Sequence, residues 1–323
     1  MATRRSLLAA ALATPALVTP ALAQSGFPNR PLRMIIPVGV AGATDIVGRI
    51  VAEHMAQLLG RPVVCENIAG AGSTIAAATF QRTAPDGYTI FIGTNNHPVM
   101  QAVRRDFPFN PVTDFVPFSL VARQPSVLAV SPDVPARDVA ELMAWLRARG
   151  DAVNYGSTFP GATNHLAGEL MKHLARVNFT IVPYRTAALA VQDLVAGRVD
   201  LTIDSPMMLA PLIREGRLRG LAVSGAERTD LLPGLPTLME SGVPGYELTA
   251  WQALFVRPGT PPEALAMLTD VAKRTLEDPG VRERLRQNSA EVWHDTSPAA
   301  AAAHVRAEVE RWGPLVANMG ITN

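Results

Sequence analysis

Leu32-Arg33-Met34-Ile35-Ile36-Pro37-Val38-Gly39-Val40-Ala41-Gly42-Ala43-Thr44-Asp45 is the stretch from which the rest of the chain can be read. An apolar run of strand length ends at Pro37 and passes through small residues. It reaches Thr44 and Asp45, residue types that cap helices. Val47, Ile50, Val51, Met55 and Leu58 then recur at helical spacing until Gly60 stops the run. The same unit of strand, small-residue loop and helix returns along the chain. It recurs at 63–64 into 70–74, 89–93 into 94–97, 153–155 into 156–165, 180–183 into 184–187, and 199–203 into 204–206. Alternating strands and helices predict an α/β fold with mostly parallel sheets. In such a fold the strand-to-helix loops gather at one sheet edge, where free N–H groups and positive helix ends face a crevice. That edge suits a small anion and supplies no chemistry of its own.

The bulk numbers bound the answer. With 323 residues, the chain fits two domains better than one core. It is 48% hydrophobic and 18% charged, the balance of a globular protein. The first 23 residues read as a cleavable export signal, with Arg4 and Arg5 ahead of an apolar stretch at 7–18 and Ala21-Leu22-Ala23 as the cleavage site. Thr3-Arg4-Arg5-Ser6 also touches the twin-arginine pattern, so either the general or the twin-arginine route fits. The stretch is too short for a membrane anchor and is broken by Pro15 and Pro20. Removing Arg4 and Arg5 from the 29 basic side chains leaves 27 against 28 acidic ones, a net charge of −1. This is no nucleic-acid footprint. Cys65 is the single cysteine, which excludes an internal disulfide and a multi-cysteine metal site; it reads as a packing residue. No cofactor and no metal are expected, and the chain is expected to act as a monomer.

Two βα blocks, before and after about residue 125, describe two lobes around a cleft. Crossings are expected near 124–127 and 248–251. The division is then a signal at 1–23, a first lobe at 24–125 and 250–323, and a second lobe at 126–249. Leu231 to Gly245 is dense in Pro and Gly and reads as surface loop, and the tail from Pro262 reads as helical.

These residues resemble a known family. PVGVAGATD at 37–45, VCENIAGAGSTIA at 64–76, APDGY at 84–88, NPVTDFV at 110–116 and NYGSTFPGATNHLAGE at 154–169 carry the resemblance. VPYRTAALA at 182–190, DLVAGRVDLTID at 193–204, GLAVS at 220–224 and LPTLMESGVPG at 235–245 continue it in order. Together they resemble the extracytoplasmic solute receptors of the tripartite tricarboxylate transporter, or Bug, type. The resemblance implies a type II, Venus-flytrap fold whose two lobes close in the periplasm over one small organic anion, commonly a carboxylate. It also implies partners in the membrane subunits of such a transporter or in a sensor protein. The binding positions it implies in the first lobe are Val40, Ala41, Gly42, Ala43, Thr44 and Asp45, then Gly72 and Ser73, then Thr94, Asn95 and His97. In the second lobe it implies Ser157, Thr158, Phe159, His165, Tyr184, Arg185, Thr186 and Asp204. The chain departs from the family pattern at Ala41-Gly42, where glycines are usually paired, and at Phe159, Ala162, Arg185-Thr186 and Ser205. Arg185 would offer a forked donor in place of a lysine's point charge, and Phe159 would floor a pocket for an aromatic guest.

Plainer readings stand beside these. Asp45 serves equally as a helix cap, and His165 as a packing or capping residue. Trp251, near a crossing, is a candidate to line the cleft. Replacing Gly42 by Val is expected to damage the first-lobe loop. The Gly70-Ala71-Gly72 run lacks the third glycine of a dinucleotide fingerprint. The enzyme alternative is an exported hydrolase using Ser157, His165 and Asp204, but no G-x-S-x-G elbow accompanies them.

Overall fold

The computed structural model describes residues 26–103, 108–158 and 160–319; the proposed export signal and Phe159 lie outside the described residues. In chain order the elements are β1 (Leu32–Ile36), α1 (Ala43–Leu59), β2 (Val63–Asn67), a 3₁₀ turn (Ala71–Ser73), α2 (Thr74–Gln81), β3 (Thr89–Thr94), α3 (Asn96–Val103), β4 (Val116–Pro125) and β5 (Val127–Val130). There follow α4 (Val139–Arg149), β6 (Asn154–Ser157), α5 (Thr163–Ala175), β7 (Thr180–Pro183), α6 (Ala187–Val195), β8 (Leu201–Asp204), α7 (Pro206–Arg214) and β9 (Arg219–Val223). The chain ends with β10 (Thr249–Val256), α8 (Pro262–Glu277), α9 (Pro279–Gln287), β11 (Glu291–Val292) and α10 (Pro298–Met319).

Two sheets form. The first is ordered β11-β4-β10-β3-β1-β2 and the second β7-β6-β8-β5-β9. The chain leaves the first sheet at Pro125 and enters the second at Val127, with Ser126 alone between them. It returns through the irregular stretch 224–248 into β10, whose Thr249 and Ala250 lie opposite Pro125 and Gln124. The two crossings are therefore side by side, as a hinge requires.

The α/β class holds, but the sheets are mixed rather than mostly parallel. β1 pairs in parallel with β2 and β3, and β6 with β7 and β8. β10 is antiparallel to β3 and β4, β11 to β4, and β5 to β8 and β9. The reason is topological. Outgoing β4 and returning β10 are neighbours, and neighbouring strands that carry the chain out and back run in opposite directions.

Each sheet buries apolar side chains on both faces, which is why its strands read as unbroken hydrophobic runs. In the first sheet, Met34, Ile36, Ile90 and Ile92 pack against Val47, Val51 and Met55 of α1 and Leu268 of α8, all buried. On the other face Ile35, Phe91 and Phe255 meet Phe80, Phe115 and Trp251. Burying side chains of this size stabilises by roughly 1.5–3 kcal/mol each. In the second sheet Leu128, Tyr155, Leu201 and Ile203 pack on Leu166, Leu170 and Met171 of α5. Val99, Met100 and Val103 of α3 and Trp312 and Val316 of α10 join that same cluster.

Candidate functional site

Gly42 is the N-cap of α1, with φ −76° and ψ 163°, and it offers no side chain to the first helical turn. Ala162 is the N-cap of α5 and offers none either. The first N–H groups of an α-helix have no acceptor within the helix, and a Ser, Thr, Asp or Asn cap normally satisfies one of them. Both helices leave that position to something else. One stands on the first sheet and the other on the second, and Ala43, Thr44 and Thr163 of their first turns line the same cavity.

That cavity, of ≈ 200 Å³, lies between the sheets. Val38, Gly42, Ala43 and Thr44 enter from the β1–α1 turn, and Thr94, Asn95 and Asn96 from the β3–α3 turn. Gln124, Ser126, Ala250 and Gln252 come from the two crossings, Thr163 from α5, and Asp204 and Ser205 from the β8–α7 turn. Among these described residues the one formal charge is the Asp204 carboxyl.

Asp45 shapes the loop rather than lining the cavity. It is 2% exposed, and its carboxylate turns back to accept from Ala41 N at 2.8 Å, Arg49 Nε at 2.9 Å and Asn67 Nδ2 at 2.8 Å. Burial alone would raise this carboxyl, but the hydrogen bonds from Arg49, Asn67 and Ala41 outweigh it and hold the pKa below the usual carboxylate range. The loop it ties down carries Ala41 at φ 64°, in the left-handed region that favours glycine. Val40 projects outward, 73% exposed.

The second-sheet wall is built around Asn164. Its Oδ1 accepts from Thr158 Oγ1 at 2.7 Å, and its Nδ2 donates to Asp204 Oδ2 at 2.9 Å. Ser205 N donates to Asp204 Oδ1 at 2.7 Å. Beneath them the Tyr155 hydroxyl donates to Asn164 O at 2.6 Å and accepts from Ile203 N at 3.1 Å, joining α5 to β8. Gly168 makes room for that ring, since a Cβ there would sit 2.8 Å from Tyr155 Cε1. Burial raises the Asp204 carboxyl above its ordinary value, against the opposing hydrogen bonds from Ser205 and Asn164.

Of the described positions expected from sequence, Gly42, Ala43, Thr44, Thr94, Asn95 and Asp204 line this cavity, and the other described ones do not. Gly72 and Ser73 pack against α3: a Cβ on Gly72 would meet Met100 Sδ at 2.6 Å. His97 is 3% exposed and enclosed by Phe91, Phe115 and Phe255, with ring centroids 4.1 Å apart at Phe115. Burial drives its pKa down to about 4. It is a core histidine. His165 faces the Gly161 backbone, with its Nδ1 3.4 Å from Gly161 N, and burial lowers its pKa. Tyr184 donates to Asp193 Oδ2 at 2.7 Å, and Thr186 caps α6 by accepting from Leu189 N. Arg185 lies between them, outside the cavity lining, because β7 is the edge strand of its sheet. Trp251 turns from the cleft and donates to Glu308 Oε2 at 2.9 Å.

The hydrolase constellation does not assemble. Ser157 Oγ is buried without a hydrogen-bond partner, His165 faces Gly161, and Asp204 is held by Asn164 and Ser205. The expectation for Gly42 also changes. Its φ is ordinary, and a Cβ would stand 3.6 Å from Gly39 O, so the backbone tolerates a side chain there. Sequence reasoning passed over Gln124, Ser126, Ala250 and Gln252 as site residues, although they flank the two predicted crossings. It also passed over Asn164, whose signal is a polar side chain in the first turn of an apolar helix. Among the described residues no group of acidic, His or Cys side chains could hold a metal ion, and no helix is long and apolar enough to cross a membrane.

Known proteins resemble this chain over nearly its whole length. The family model described as "Tripartite tricarboxylate transporter family receptor" matches residues 47–321. A protein from Pseudomonas sp. (strain P51), named for the tcbD-tcbE intergenic region, is 34% identical over 97% of this chain and 93% of its own length. An R. palustris protein solved with adipate, Rpa4515, superposes with a TM-score of 0.82 at 35% identity, covering 91% of this chain and 98% of that one. The periplasmic binding protein BugD superposes with a TM-score of 0.81 at 32% identity, covering 92% of this chain and 100% of that one. The chain belongs to the tripartite tricarboxylate transporter receptor family.

Proposed function

We propose that this protein is a periplasmic receptor that closes its two lobes over one small organic carboxylate and hands it to tripartite tricarboxylate-type membrane components, without making or breaking covalent bonds. The observation that carries the reading is the pair of side-chain-free N-caps, Gly42 and Ala162, at helices from opposite sheets bordering one cavity. Each helix start carries about half a positive charge with N–H donors pointing outward, so a carboxylate bridging them is held without a cationic side chain. A guest that touches both walls binds the closed arrangement better than the open one and so selects it. The adipate in the R. palustris relative supports the carboxylate class. The unassembled Ser157, His165 and Asp204 support binding over catalysis.

The test is a thermal-shift screen of the chain from Gln24 onward against mono-, di- and tricarboxylates, amino acids and aromatic acids. A true ligand at a hundred times its Kd should add about 2.7 kcal/mol of stability. The reading fails if no acid raises Tm while neutral sugars or cationic solutes do.

A further inference from the structure

The ribbon formed by the two crossings has two faces. Thr249 lies opposite Pro125 and Trp251 opposite Arg123, and successive side chains of a strand alternate between faces. Gln124, Ala250 and Gln252 line the cavity between the sheets, whereas Arg123, Pro125, Thr249 and Trp251 line a second cavity of ≈ 90 Å³. Asn95 borders both. The second cavity is completed by Trp293, His304 and Glu308 from the stretch after β10, and by the 225–228 turn and Glu247 from the irregular stretch before it.

Charge in this second cavity does not balance. Arg228 is held by Glu240, outside the lining, with Nε 3.0 Å from Oε2. Arg123 is divided between Glu227 at 3.6 Å and Glu291 at 3.3 Å. Arg311 is divided between Glu247 and Glu308, each at 3.8 Å. Four carboxylates thus face two guanidiniums. His304, whose pKa burial lowers to about 4, adds no charge near neutral pH. Glu308 is the most enclosed of the four carboxylates, 8% exposed. Its Oε2 accepts the indole N–H of Trp251 at 2.9 Å and of Trp312 at 3.2 Å. Among the described residues, its Oε1 has only the Arg311 contact.

Flat rings make up much of the remaining wall. Trp293 and His304 are both partly exposed, with ring centroids 4.8 Å apart. An indole face attracts a cation, and a carboxylate accepts strongly from a charged donor. A neutral guest would leave the surplus charge uncompensated, and an anion would add to it. A dry cavity of about 150 Å³ takes a benzene ring, so the body that fits here is smaller. The geometry points to a second binding site, for a small organic ammonium ion, with its charge on Glu308 and its apolar body against Trp293 and His304. The site occupies the opposite face of the ribbon from the acid cavity and is independent of what binds there.

Trp251, Trp293 and Trp312, three of the four tryptophans, line this cavity, so intrinsic fluorescence reports its occupancy. The chain from Gln24 onward is titrated with n-butylammonium chloride, with 1-butanol as the neutral counterpart and potassium chloride as the control for ionic strength. n-Butylammonium should change the emission saturably and bind at least ten-fold more tightly than 1-butanol. Glu308→Gln, which keeps an oxygen for both indole N–H groups, should weaken that binding ten-fold or more. Trp293→Leu should weaken it several-fold, and circular dichroism should show both variants folded. No saturable change, equal affinity for 1-butanol, or unaltered affinity in Glu308→Gln would overturn the site and leave the carboxylate reading standing. If Glu308→Gln does not fold, Trp293→Leu decides, and unaltered n-butylammonium affinity there overturns the assignment.

Discussion

Asn95, in the turn after β3 of the first sheet, donates through Nδ2 to Thr163 Oγ1, in the first turn of α5 on the second sheet, at 2.9 Å. Asn95 is 4% exposed, and both residues border the interlobe cavity. A hydrogen bond of this kind contributes about 1 kcal/mol net, roughly a five-fold effect on an equilibrium. Here the equilibrium is lobe closure, so the bond adds to whatever a guest supplies.

Removing either side should therefore weaken binding through the same bond. Asn95→Ala and Thr163→Val are each expected to raise Kd about five-fold, with the double variant little worse than either single one. A double-mutant cycle by calorimetry measures this. Fully additive losses would mean that the two residues act separately on the guest and not on each other.

Asp45 ties the first-lobe loop to α1 and to the end of β2. Its loss strips an acceptor from Ala41 N and Asn67 Nδ2, and hydrogen bonds to a charged group contribute about 1.5–3 kcal/mol. Asp45→Ala should cost about 2–3 kcal/mol in denaturant unfolding and weaken binding as Ala41 leaves its left-handed backbone. Because the folded carboxyl lies below its ordinary value of 3.8, its contribution is complete above that pH and is lost as pH falls through the lowered folded value. The wild-type stability profile should therefore steepen below pH 3.8, and that of Asp45→Ala should steepen less, since other lowered carboxylates such as Asp193 and Asp295 remain.

His97 acts in a separate window. Its folded pKa of about 4 lies below the ordinary 6.5, so between those values the unfolded chain takes up a proton that the folded one refuses. Stability is full above pH 6.5 and falls progressively toward pH 4. A difference of that size corresponds to about 3 kcal/mol as an upper figure. His97→Phe preserves the aromatic packing and gives up the bond to the Pro111 backbone, so its absolute stability drops slightly while its slope in this window flattens. His304, lowered to about 4 by burial, leaves a residual slope. An unchanged slope in His97→Phe would show that this ring is solvated in solution.

What the sequence disclosed and what it hid follow from range. The βα units, the crossings near Gln124 and Ala250, and the loops at Gly42, Thr94 and Asp204 are local patterns, and local patterns read directly. Strand direction is not local, so the antiparallel return of β10 beside β4 was invisible. His97 precedes a proline in a loop-like run and reads as a site residue, yet Phe91, Phe115 and Phe255 enclose it, the last two from outside the β3–α3 unit. Tyr184 and Thr186 follow β7 outside the cavity lining, and only the sheet order shows that β7 is an edge strand. Gln252 sits in an apolar strand, where nothing nearby in sequence announces a residue that lines a cavity.

The central claim is that two helix starts without side-chain caps hold the acid. Calorimetric titration of Gly42→Asp tests it most directly, with Gly42→Ala as the control for added bulk. The Gly42 backbone already has N-cap geometry, so an aspartate there can occupy the α1 N–H groups and bring a negative charge. Stability should hold or rise by a few tenths of a kcal/mol. Acid binding should fall by a hundred-fold or more in Gly42→Asp, on the order of 3 kcal/mol, and by far less in Gly42→Ala. A folded Gly42→Asp protein that binds its acid as tightly as the wild type would contradict the account.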